Sequence, residues 1–206
     1  MTRVPNARLG AVVVATALLA GACGESLSHT VDMDKLKEMS RQGQLWIFDA
    51  ENEIVVALDK LDEAKDQLEQ VKQRMKASER SLSAAENRNS RGAVEMAEQN
   101  IKYLEAMEVW GKGRIDALRK GVTAAQAGVE LAKAQVINRE DLLGGKGFDM
   151  GNYQQQYEEL KKEYERELKR TNKLRKTARI EEQKWWTLRR RFIAQTGDYD
   201  SGLWID

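Results

Sequence analysis

In 206 residues the chain has one cysteine, one histidine and one proline. A single cysteine excludes an intramolecular disulfide. A single histidine without a second thiol excludes Cys/His metal sites and most nucleophilic triads. The proline is Pro5, so the chain beyond it is free of that helix breaker. Aromatic residues make up only 6% against 33% charged residues, which is too little for a thick globular core but suits long helices with a narrow apolar seam. The 34 basic and 33 acidic side chains nearly cancel, without the basic excess that nucleic-acid binding leaves.

The longest uncharged run lies at the start. Arg3 and Arg8 precede it, and no charge occurs from Leu9 to Ala22. This is the layout of a secretory signal, shorter than the ~20 residues of a transmembrane helix. It ends in Leu19-Ala20-Gly21-Ala22-Cys23, which resembles the lipobox of bacterial lipoproteins. The resemblance covers the signal alone. It implies that Cys23 is acylated and becomes the new N-terminus, so that lipid anchors the chain to a membrane. It also implies that Gly24 is compatible with transfer to the outer membrane, facing the periplasm. Residues 1–22 are then a signal peptide, and residues 23–31 are the lipidated cysteine with a short polar tether. His29 lies in that tether with no companion for ligation or catalysis.

Heptad spacing sets the expected architecture. Steps of three and four from Met33 pass through Leu36, Ser40, Gly43, Ile47, Ala50, Ile54, Ala57, Leu61, Ala64, Leu68, Val71, Met75, Ser78, Leu82 and Ala85. A second frame runs from Val94 through Leu104, Ile115, Leu118, Val122 and Val129 to Val136. The twelve-residue step from Leu82 to Val94 fits neither a stutter nor a stammer, and Asn87 to Gly92 supplies turn residues, so a hairpin is expected there. A third frame runs from Tyr157 through Leu160, Tyr164, Thr171, Leu174, Ala178, Trp185 and Leu188 to Phe192.

Gly144, Gly145, Gly147 and Gly151 mark the second connection, with Gly144 expected to close the second helix and Asn152 with Gln155 to cap the third. The glycine loop lacks a phosphate-binding pattern. The expectation is an all-α fold, a long antiparallel coiled-coil bundle of about three helices across residues 32–197, followed by a tail at 198–206. The helices would have about 55, 45 and 43 residues, or roughly 80, 68 and 65 Å. Gly121 and Gly128, seven apart on one flank among many alanines, predict close backbone approach in the second helix.

Charge is unevenly spread. Residues 32–70 hold eleven acidic and five basic side chains, a net of −6, whereas residues 161–191 hold thirteen basic and five acidic, a net of +8. In a bundle whose first and third helices run side by side, these stretches would meet and set register.

The sequence offers no catalytic residue, metal ligand set or cofactor motif; carboxylates such as Asp59, Asp62 and Glu63 read as a solvated helix face. One cluster points to a partner contact: Trp185, Trp186, Arg189, Arg190 and Arg191, with Leu203, Trp204 and Ile205 in the tail, because Trp and Arg favour interfaces. The resulting expectation is a non-enzymatic, lipid-anchored structural or scaffolding protein of the bacterial envelope that binds another envelope component, with self-association left open. The alternatives are an adaptor or regulator subunit of an envelope machine, and a periplasmic helical chaperone.

Overall fold

The computed structural model describes residues 26–145 and 148–197, and these form three long helices with no strand among them. They are α1 (Arg41–Asn87), α2 (Arg91–Arg139) and α3 (Met150–Thr196). At 47, 49 and 47 residues they are more equal than the heptad frames suggest, each roughly 70 Å long.

The seams follow the predicted frames. From Gly43 onward no frame position of α1 is exposed, and none is exposed in α2 or α3. The antiparallel register is visible where glycines let neighbours close in. Gly111 of α2 faces Leu68 of α1, Gly121 faces Tyr164 of α3 and Gly128 faces Tyr157. The hairpin expected at 87–92 is present. Asn89 takes a left-handed φ of 49°, its N–H donates to Glu86 O at 2.9 Å, and the Ser90 N–H donates to Ala85 O at 3.1 Å. This two-bond closure satisfies carbonyls that would otherwise be orphaned at the end of α1.

Four expectations are corrected. First, α1 does not extend back to Met33. Met33 and Ser40 are exposed, and Met33–Leu36 is a separate 3-10 turn. Ser40 ends the extended segment by accepting the Gly43 N–H on its hydroxyl at 3.1 Å, and a cap of that kind is invisible to a count of apolar spacing.

Second, α2 is closed by Asp141 rather than Gly144. Asp141 has φ 48°, and the Leu142 N–H reaches Ile137 O at 3.1 Å. Gly144 lies beyond, in the loop. Third, Asp149, not Asn152, caps α3, accepting the Gly151 N–H at 3.0 Å. Asn152 instead donates its side-chain amide to Asp149, and Gln155 pairs with Glu159.

Fourth, α1 and α3 do not lie side by side: no pair of their Cα atoms comes within 8 Å, and both pack on α2. Arg114 donates to Gln67 of α1, while Arg175 of α3 approaches the Trp110 ring at 5.6 Å. No α1–α3 ion pair occurs among the described residues, so the acidic and basic stretches do not form a paired seam.

Close approach at the start of α1 gives a test. A Cβ built on Gly43 would meet Val136 Cγ1 at 2.8 Å and Glu140 Oε1 at 2.7 Å. Val136 is fully buried and stiff at χ1, so it has nowhere to move. Alanine favours helix over glycine by ~1 kcal/mol, yet Gly43→Ala should destabilise by about 1–3 kcal/mol because overpacking wins. An unchanged or raised urea midpoint would refute the tight packing.

Candidate functional site

The most heavily tied local feature precedes α1. From Ser40 back to Ser26 the chain forms a strap over α2 and α3. Two apolar plugs hold it: Val31 is 6% exposed and Leu36 is 1% exposed, packed with Ile47, Ala134, Val136 and Ile137.

Polar clamps complete the attachment. The buried Gln156 amide reads the strap backbone, accepting the His29 N–H at 2.8 Å and donating to His29 O at 2.9 Å, and it also accepts from the Ser28 hydroxyl at 3.0 Å. Tyr153 donates its hydroxyl to Thr30 O at 3.2 Å. Glu130 accepts the Val31 N–H at 2.6 Å and pairs with Lys133 at 2.7 Å, both charged side chains lying almost wholly buried beneath the strap. Glu140, just past the end of α2, ties the end of the strap to that helix by accepting the Ser40 N–H at 2.7 Å.

Residues 26–31, read from sequence as part of a free tether, are therefore docked. The clamps come from residues about a hundred or more positions away, a separation that local polarity cannot signal. Cys23 lies outside the described residues.

The strap fills the lower part of a groove between α2 and α3, with Ser26 beside Thr123 and Glu163. Beyond Ser26 the groove continues open for about 630 Å³, past Lys120, Arg119 and Gly113 of α2 and Glu167, Arg170 and Leu174 of α3. Around the flank of α3 from Arg170 lies a cleft of Lys162, Arg166, Lys169 and Lys173, in which Glu165 is the only acidic member.

The expected partner cluster divides. Trp185 is 7% exposed, stacks on Tyr103 at 6.1 Å and joins Ala85, Ala93, Met96, Ala97 and Phe192 in a core cluster at the hairpin end. Burial withdraws Trp185 from any exposed contact set. Trp186 remains 42% exposed with the Arg189 guanidinium 4.8 Å from its ring, and Arg190 and Arg191 are exposed beside it. Leu203, Trp204 and Ile205 lie outside the described residues. A second surface escaped the sequence reading: Leu45, Phe48, Val55 and Val56 form an exposed apolar stripe on α1, where only the seam facing α2 was counted.

Three carboxylates that join elements have lowered pKa values. Hydrogen bonds from the Ser40 hydroxyl and amide hold Glu140 below its ordinary 4.5. Lys120 of α2 lowers Glu163 of α3, mainly through its hydrogen bond. Lys184 and then Gln99 lower Glu181. A depressed carboxylate stabilises the fold above its unfolded pKa and loses that contribution as pH falls through the folded value. The melting temperature should therefore drop below pH 4.5, where these groups begin to protonate, and Glu140→Gln with Glu163→Gln should flatten that dependence. An acid profile identical in the double variant would remove these groups as its cause.

Among the described residues no group of His, Cys, Asp and Glu is arranged to hold a metal ion, and no helix is long and apolar enough to cross a membrane. Comparison with protein-family models, curated proteins and solved structures gives no match.

Proposed function

We propose that the protein is a lipid-anchored structural or scaffolding lipoprotein of the bacterial cell envelope, presenting a helical rod to another envelope component. The observation that carries the reading is the position of the sole cysteine, which closes an uncharged export-type segment three residues before the docked strap begins. Lipid on Cys23 would join a membrane to a rod whose exposed surfaces, Trp186 with its arginines and the Leu45–Val56 stripe, have the chemistry of protein contacts. The Trp186 cluster lies toward the hairpin end, level with Met96 and so roughly 40 Å along α2 from Thr123 at 1.5 Å per residue, remote from the proposed anchor.

Cys23→Ala should move the protein from the membrane fraction to the soluble fraction, and mass spectrometry of the native N-terminal peptide should show acyl chains. Membrane association that survives the substitution, with an unmodified peptide, would defeat the reading. The apolar stripe on α1 favours two alternatives, an adaptor subunit and a helical chaperone. Affinity capture from crosslinked cells separates them: one stoichiometric partner supports scaffold or adaptor, and many unfolded clients support chaperone.

A further inference from the structure

We propose that the rod lies along an anionic phospholipid surface through the strap-side flank of α3, with Lys162, Arg166, Lys169, Arg170 and Lys173 against the headgroups. The inference rests on the anchoring role read for Cys23.

The first argument is reach. Ser26, exposed and two residues before the Gln156-bonded Ser28, lines the α2–α3 groove together with Thr123 and Glu163, and three peptide steps separate it from Cys23. Extended chain spans at most ~3.3–3.6 Å per residue, so the lipid-bearing residue stays within about 10 Å of that point. Thr123 is not at an end of the rod. It lies 32 residues after the start of α2 and 16 before its close, about 48 and 24 Å along the axis. A rod linked by so short a segment, about a third of the way along α2 from its close, is drawn to a bilayer by its flank rather than by its tip. The bilayer then runs past its flank, on the side where the strap lies.

The second argument is the charge of that side. The groove holding Ser26 opens onto Arg170, and Arg170 also lines the cleft of Lys162, Arg166, Lys169 and Lys173. All five basic side chains are exposed. Arg166 and Arg170 make loose pairs with Glu163 and Glu167 at 3.7 and 3.6 Å, while Lys162, Lys169 and Lys173 have no ion-pair partner among the described residues. No ion pair joins α1 to this face among the described residues, and Glu159 and Glu163 are the carboxylates beside it in the strap groove. Clustered lysine and arginine beside an anionic leaflet add binding that falls off within a Debye length.

The test uses the full chain, native and Cys23→Ser, sedimented with vesicles of phosphatidylcholine alone or mixed with phosphatidylglycerol. The Cys23→Ser chain should bind the mixed vesicles about tenfold or more tightly than the neutral ones, with the preference shrinking as salt rises. Lys162→Glu, Lys169→Glu and Lys173→Glu together should abolish the preference. Lys72→Glu, Lys76→Glu and Arg80→Glu on α1 should preserve it. The milder Lys162→Gln, Lys169→Gln and Lys173→Gln set should give an intermediate loss, which guards against misfolding of the reversed variant. Equal binding to both vesicle types, or a preference that survives reversal on α3, overturns the proposal; it would direct the basic face to an acidic protein or polymer. Failure of the native chain to bind neutral vesicles defeats the anchoring reading instead, and leaves the charge comparison standing.

Discussion

Glu130→Ala should lower the unfolding free energy by about 3–5 kcal/mol, because it leaves Lys133 buried without its counter-charge. Both side chains sit under the strap with little exposure, and the 2.7 Å contact between them supplies the nearest negative charge to the ammonium. The same substitution removes the acceptor of the Val31 N–H, a further loss of about 1–3 kcal/mol if no water replaces it. Replacing both charges separates these effects. In Glu130→Gln with Lys133→Met the amide oxygen can still accept from Val31 and no charge is stranded, so most of the loss should be recovered. Urea denaturation of the singles and the double gives the coupling directly, and amide exchange at Val31 reports whether the strap has lifted. A single-variant loss below about 1 kcal/mol, the scale of an exposed pair, would mean that the pair is solvated and the strap undocked.

Trp185→Ala should cost a similar amount, about 3–5 kcal/mol, while the adjacent Trp186→Ala should cost no more than about 1 kcal/mol. The difference follows from direction. Among the described residues, Trp185 belongs to the one core cluster that holds buried residues of all three helices, with Ala85 of α1, Met96 of α2 and Phe192 of α3. Its alanine neighbours are too small to close the void. Trp186 loses chiefly its contact with Arg189. A spectroscopic signature accompanies the first change. Tyr103 stacks on Trp185, and its pKa is raised, mainly by burial and then by Glu182. Admitting water at position 185 should return the tyrosine titration toward 10.0. Equal destabilisation by the two alanine variants would show that the indoles do not differ in burial as described.

Apolar spacing carried the seams because each helix meets its neighbour along one line, and a 3.5-residue repeat records such a line directly. The frame through Leu61, Ala64, Leu68 and Val71, and the break at Asn87 to Gly92, needed nothing from distant sequence. What escaped depends on distant residues or on caps. Glu130 and Lys133 lie off the frame through Val129, Ala132 and Val136, and charged off-frame residues read as solvated; a segment 99 positions earlier covers them. The expected pairing of acidic α1 with basic α3 failed because net charge says nothing about which helices pack together, and both pack on α2. Trp185 and Trp186 are adjacent in sequence, and the third frame already separated the seam tryptophan from the outward one.

If Cys23 carries the proposed lipid, the strap gives that anchor two working lengths. Docked, it leaves about 10 Å of chain between the fold and Cys23, at ~3.3–3.6 Å per residue. A pull on residue 26 loads its attachments in chain order: the Gln156 clamp at Ser28 and His29, then Tyr153 at Thr30, Glu130 at Val31, the Leu36 plug and finally Glu140 at Ser40. Once peeled back to Ser40, the segment would extend by roughly 50 Å more at the same rise per residue, and its point of attachment would shift to the end of the rod where α1 begins. If that lipid is present, tension at the membrane would lift the strap before it unfolded a turn of the three long helices.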